Sequence, residues 1–171
     1  MAHVPFGDPI CLDWKNFVFG IADEFCTKAG VKAFNGGTYV CMEGPQFSTR
    51  AESMFYRSLG AAVIGMTSLP EAKLSREAEL SYSAISLVTD FDCWHVGEEN
   101  VTADAVVAQM KRNIVVATDI VIAILERLDT APKCGSTALA GGIMTAPHAI
   151  DPKLKKDLWP LIGHRLPASE H

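Results

Sequence analysis

Apolar positions change their period several times along the chain. From Asp13 to Ala29, Trp14, Phe17, Val18, Ile21 and Phe25 recur at helical spacing, and Gly30 follows as a stop. Lys32 to Phe34 and Thr38 to Met42 flank Asn35-Gly36-Gly37, which predicts two extended segments joined by a tight turn. Glu43-Gly44-Pro45-Gln46-Phe47 breaks the pattern. Thr49-Arg50-Ala51-Glu52 then has capping-box spacing and starts a helix to about Leu59, with Gly60 ending it. Ala61 to Met66 is an apolar run of strand length. Ser68-Leu69-Pro70-Glu71 repeats the capping-box spacing, with proline inside the first turn, and opens a helix to roughly Leu80. Tyr82 to Val88, short and rich in β-formers, reads as the next strand. Strand, helix and strand in this order predict a right-handed βαβ unit whose parallel strands end on one crevice. A long helix is predicted from Thr102 to Leu128, and the tail holds Cys134-Gly135-Ser136, Gly141-Gly142, a Pro147-His148 loop and a short helix from Leu154 to Leu161.

That pattern puts chemistry at strand ends. In an open α/β sheet, ligands sit beyond the carboxyl ends of the strands, and the Tyr82 to Val88 run is followed at once by Thr89, Asp90, Phe91 and Asp92. Two acids at i, i+2 either point the same way from an extended segment or lie on a loop that turns one aside. A solvated acidic loop is the alternative. Thr67 follows one predicted strand and precedes a helix start, where its hydroxyl and nearby N–H groups suit an anion such as phosphate; an ordinary cap is the competing role. Phe47 could offer its ring to a flat ligand or serve the core. Cys93 sits beside two carboxylates that raise a thiol pKa, so packing suits it better than reactivity.

Composition narrows the classes further. The 171 residues and 18.5 kDa suit one domain, 1–171, with 49% hydrophobic and 20% charged residues typical of a soluble globular protein. Net charge is −5 and no basic stripe appears, which disfavours nucleic acid. Five cysteines, odd in number and without a C-x-x-C pair, suit free thiols in a reducing compartment. No signal-like N-terminus or bilayer-length apolar run occurs, so a cytoplasmic protein without membrane partners is expected. The histidines show no metal-ligand spacing, and no G-x-S-x-G elbow is present.

Three segments taken together carry a resemblance. Glu43-Gly44-Pro45-Gln46-Phe47-Ser48-Thr49-Arg50-Ala51-Glu52-Ser53, Gly65-Met66-Thr67-Ser68-Leu69-Pro70-Glu71 and Thr89-Asp90-Phe91-Asp92-Cys93-Trp94 resemble the 5′-methylthioadenosine phosphorylases of the purine nucleoside phosphorylase superfamily, from about His3 to the end of the long helix. The resemblance implies an α/β, phosphorylase/hydrolase-like three-layer fold with a mixed central sheet. It implies phosphorolysis of methylthioadenosine to adenine and 5-methylthioribose-1-phosphate, with inorganic phosphate as co-substrate and no metal or organic cofactor. By the same carry-over Asp90 is the acid at purine N7 and Asp92 accepts from the exocyclic amine, while Thr89, Phe47 and Ser48 complete the purine pocket. Met66 lies under the ribose, Thr67 holds phosphate, and Ala103, Val106 and Val107 floor the methylthio site. His3 reaches a neighbouring subunit's site, which implies a homotrimer.

Chemistry agrees with that assignment. Cleavage leaves negative charge on the departing purine, so an acid near N7 lowers the barrier. An ionised carboxylate accepts from a 6-amino group and repels a 6-oxo group, which favours adenine; the family's 6-oxopurine members have Asn at position 90 and Glu at position 48. Gly65 replaces an Asn found in some members, so only a backbone role carries over there. The family's Gly-rich phosphate loop, Arg-His pair and Thr-Ala contact do not occur in this sequence, so the chain resembles the C-terminal portion, with N-terminal strands of the sheet missing and an uncovered edge that favours self-association. A non-catalytic remnant that binds adenine nucleosides or partner subunits, and a related nucleosidase using water, are the alternatives.

Overall fold

A computed structural model describes residues 1–95, 103–133 and 137–166. Thr102, the predicted start of the long helix, and Cys134-Gly135-Ser136 lie outside the described residues. Helix α1 (Leu12–Lys28) and helix α4 (Ala103–Glu126) pack together through Ile21 and Cys26 on one side and Ile120 and Ala123 on the other. Arg127, just past α4, binds Glu24 of α1 at 2.9 Å, and Lys28 binds the same carboxylate at 2.7 Å. The contact follows from the 3.6-residue period of apolar positions in both helices.

The sheet among the described residues is a parallel pair, β1 (Thr38–Cys41) and β2 (Ala61–Gly65), with α2 (Arg50–Ser58) between them in sequence. Cys41 pairs with Gly65, so both strands deliver their following residues to the same end. Gly65 itself sits over the Tyr39 hydroxyl, which fills the space that any side chain at 65 would need. Capping-box geometry at α2 is as expected: the Glu52 N–H donates to Thr49 Oγ1 at 3.3 Å while the Thr49 N–H donates to Glu52 Oε2 at 2.7 Å.

Three expectations need correction. The hairpin over residues 32–42 does not form; the partner of β1 is β2, and Lys32 to Phe34 belongs to no strand. Gly36 and Gly37, at φ 96° and 116°, make a bend that feeds β1, and the Ala62 side chain lies against Gly37. Tyr82 to Val88 is extended sequence without a ladder. Its ends are held otherwise: the Cys11 N–H donates to Tyr82 O and Asn113 Nδ2 donates to Val88 O, each at 2.8 Å. A strand needs a neighbour, and no described segment offers these residues one. Lastly, Ser68 is not the cap of α3 (Ser68–Glu77) but its first residue, and Thr67 is the N-cap without a side-chain cap bond. Pro70 then falls in the first turn, where its missing N–H costs nothing.

The tail folds back on the rest. Helix α5 (Pro152–Ile162) follows a loop whose Ile143 forms an antiparallel bridge with Ala2. Glu79, two residues past the end of α3, accepts from Arg165 Nε at 2.9 Å, meets His164 Nε2 at 2.7 Å and accepts from the Leu139 N–H at 2.9 Å. Tail and α3 are joined by that one carboxylate.

Candidate functional site

The shared carboxyl end of β1 and β2 sets the site's position. Met42 leaves β1 with its N–H bonded to Gly65 O at 2.9 Å, and residues 43–48 then run to the start of α2 through a cis Gly44-Pro45 peptide. Met66 leaves β2 at the same level, and its sulfur lies against Gly44. Phe47 and Ser48 from one strand and Met66 and Thr67 from the other are thereby gathered at one sheet end. Ser48 Oγ donates to Met42 Sδ at 3.4 Å; Phe47 remains 49% exposed, so its ring is not spent on the core. Thr67 is exposed, and its hydroxyl makes no cap bond to the α3 N-terminus.

The acidic loop is bound to the first turns of α2. Ser53 Oγ donates to Asp92 Oδ2 at 2.7 Å, Cys93 Sγ donates to the Ser48 carbonyl at 3.3 Å, and the Arg50 guanidinium donates to the Cys93 carbonyl. Within the loop, Thr89 Oγ1 donates to Asp90 Oδ2 at 2.6 Å, the Asp92 N–H to Asp90 Oδ1 at 2.8 Å, and the Cys93 N–H to Asp92 Oδ1 at 2.8 Å. Of the two geometries open to an i, i+2 pair, the loop takes the turned one: Asp92 has φ 62°, its carboxylate faces Ser53, and Asp90 stays exposed. Burial first, and the charge of Asp92 second, push the Cys93 thiol up, as its neighbours predict. Beyond it, Phe91 and His95 stack at 5.1 Å between ring centres, and Arg57 of α2 lies 3.5 Å over the Trp94 ring.

The remaining predicted residues are placed by other elements. Ala103, Val106 and Val107 occupy the first turns of α4, the helix whose Asn113 is bonded to Val88 just before the acids. Val107 is 52% exposed. His3 is anchored to the tail, its N–H donating to Gly142 O at 2.8 Å, and is exposed. Among the described residues no group of three or more His, Cys, Asp or Glu could hold a metal ion, and no helix is long and apolar enough to cross a membrane. A cleft of about 440 Å³ runs along α5, lined by Pro152, Lys155, Lys156, Trp159 and Pro160, none of them a predicted site residue.

Sequence reasoning missed Ser53 and Arg50 as parts of the site. The available signal was a small polar residue on the inward face of a short amphipathic helix, which when buried needs a partner. Its partner is 39 residues away in sequence, and only folding identifies it.

Residues 2–126 match the phosphorylase superfamily. The chain belongs to that family. An S-methyl-5′-thioadenosine phosphorylase of Geobacter sulfurreducens is 46% identical over 164 residues, which cover 95% of this chain and 56% of that protein. A crystal structure of a methylthioadenosine phosphorylase sourced from an Antarctic soil metagenomic library superposes with a TM-score of 0.78 at 38% identity, over 97% of this chain and 57% of that one. The methylthioadenosine phosphorylase of Schistosoma mansoni in complex with adenine gives 0.66 at 29%, over 77% and 50%. The α/β fold class is therefore that of the superfamily, and the likeness extends past the long helix into the tail, further than the three motifs reach. The chain spans little more than half the length of the relatives it matches.

Proposed function

We propose that this chain carries the purine and ribose half of a methylthioadenosine phosphorylase site. The observation that supports it best is the convergence of Phe47, Ser48, Met66 and Thr67 at one sheet end with the acidic loop bonded to the same turn of α2. In the reaction, a phosphate oxygen attacks C1′ of the sugar, the C1′–N9 bond breaks, and its electron pair passes into the purine. Asp90 donates a proton at N7 or shares one, Asp92 accepts from the 6-amino group, and Thr89 orients Asp90 through the 2.6 Å bond. Phe47 faces the purine with Ser48 beside it, Met66 underlies the ribose, and Ala103, Val106 and Val107 receive the methylthio group. Thr67, uncommitted at the N-terminus of α3, holds phosphate. No metal or organic cofactor enters. A homotrimer in which the exposed His3 faces a neighbouring site, and a cytoplasmic role in purine and methionine salvage, complete the reading.

The test joins the chain to the half of the domain that carries the family's Gly-rich loop and Arg-His pair. Phosphate-dependent adenine release from methylthioadenosine is the expected result, and absence of release sinks the assignment. Asp90→Asn in that protein should lower kcat/KM for methylthioadenosine by roughly a hundredfold or more, as loss of general acid catalysis does, and relatively favour 6-oxopurine nucleosides; an unchanged preference contradicts the role given to Asp90. Thr67 is the single residue here assigned to phosphate, which favours a second reading, a chain that binds adenine nucleosides without turnover. Calorimetric adenine binding without product would select it.

A further inference from the structure

Ser53 is 2% exposed, and it is the fully buried polar side chain of α2. Its hydroxyl is directed at Asp92 Oδ2, 2.7 Å away and 39 residues distant in sequence. Asp92 lies in left-handed backbone at φ 62°, a conformation rarely adopted by side chains other than Asn, Asp or glycine. That conformation carries the Asp92 N–H to Asp90 Oδ1 at 2.8 Å. One chain of bonds thus runs from a buried helix residue through one acid to the other. Arg50 holds the loop's main chain at the Cys93 carbonyl and the Cys93 thiol ties the loop to the Ser48 carbonyl, whereas the Ser53 bond acts on a carboxylate oxygen itself.

We propose that Ser53 is a positioning residue that sets the purine preference by fixing the Asp92 carboxylate. This rests on the reading of the acid pair as the adenine-recognising element. Without the hydroxyl, Asp92 Oδ2 loses its donor, and the carboxylate keeps the Cys93 N–H at Oδ1 but not its fixed orientation. The 6-amino group of adenine then meets a mobile acceptor, while hypoxanthine, with no amino group at that position, loses nothing. A hydroxyl that served packing alone would affect both purines alike.

The experiment measures dissociation constants for adenine and hypoxanthine by calorimetry on the same two-part protein, as wild type, Ser53→Ala, Ser53→Cys and Ser53→Thr. Cysteine keeps the buried volume with a weaker donor and covers the event that alanine fails to fold; threonine keeps the hydroxyl. Adenine affinity should fall roughly tenfold in the alanine and cysteine variants, the scale of losing a hydrogen bond to a charged group, with hypoxanthine within about twofold and threonine restoring discrimination. In an Asp92→Asn background the Ser53→Ala effect should shrink, since the residue acts through Asp92. Equal losses for both purines, or none, overturn the proposal for Ser53 while leaving the site intact. Wild-type protein that binds no adenine overturns both.

Discussion

Among the described residues two non-glycine positions adopt left-handed backbone, Glu79 at φ 56° and Asp92 at φ 62°, and in both a carboxylate is bonded in a way that offsets the strain. Asp92 is held by Ser53 and the Cys93 N–H. Glu79 is held by Arg165, His164 and the Leu139 N–H, and the Arg165 guanidinium is the largest cause of its carboxyl being lowered to about 2. A folded-state value below the unfolded one means stability present above the ordinary glutamate range, about 4.3, and lost as pH falls through about 2. Glu79→Gln should therefore cost about 1–3 kcal/mol at neutral pH, and the gap between its melting curve and that of wild type should close as pH falls from 5 to 2. A gap that stays constant would mean that the charge of Glu79 does not hold the tail. Residue identity announced the acid pair, because carboxylates after an apolar run are legible in order alone. It did not announce Ser53 or Glu79, since both gain their roles from partners 39 or more residues distant.

At the scale of elements, the helices and the strands β1 and β2 are legible in the sequence, whereas the extended readings of residues 32–34 and 82–88 are not borne out, for one physical reason. A helix satisfies its backbone within its own segment, so period and caps suffice to place α1, α2 and α4 within a few residues of their observed ends. A strand depends on a neighbour, and Tyr82 to Val88 has the composition of one without a described partner. Helix α4 shows how far local pattern goes. One face, with Ile120 and Ala123, is buried against α1, while Ile114, Val115, Val121, Ile122 and Leu125 remain exposed. Ile120→Ala should lower stability by roughly 2–5 kcal/mol, read as a shifted urea midpoint at unchanged m. Val115→Ser, on the exposed face, should stay within about 0.5 kcal/mol in the same chain at concentrations too low for it to associate. A similar cost at both positions would show that the second face is also covered.

The two-faced character of α4 extends to the whole molecule. A folded monomer of 18.5 kDa exposes roughly 8,200 Å² by the usual size scaling, whereas this chain exposes 11,975 Å². The excess includes Met54 and Phe55 of α2, Leu59 at its C-cap and the outer stripe of α4, in addition to the edges of the two-stranded sheet, which are open among the described residues. Apolar area of that extent drives association, and open strand edges add main-chain donors and acceptors to it. The isolated chain should sediment as concentration-dependent oligomers at micromolar concentration, and raising salt should not disperse them, because screening weakens ion pairs and not apolar contact. Ile122→Glu should reduce association without lowering the stability of the α1–α4 contact, since Ile122 is exposed and lies outside that core. Co-expression with the other half of the family's domain should replace the mixture by one defined species, because a specific complement covers the same surface that self-association uses. A monodisperse monomer of the chain alone would contradict the surface argument, and would require the exposed stripe of α4 to be covered from within.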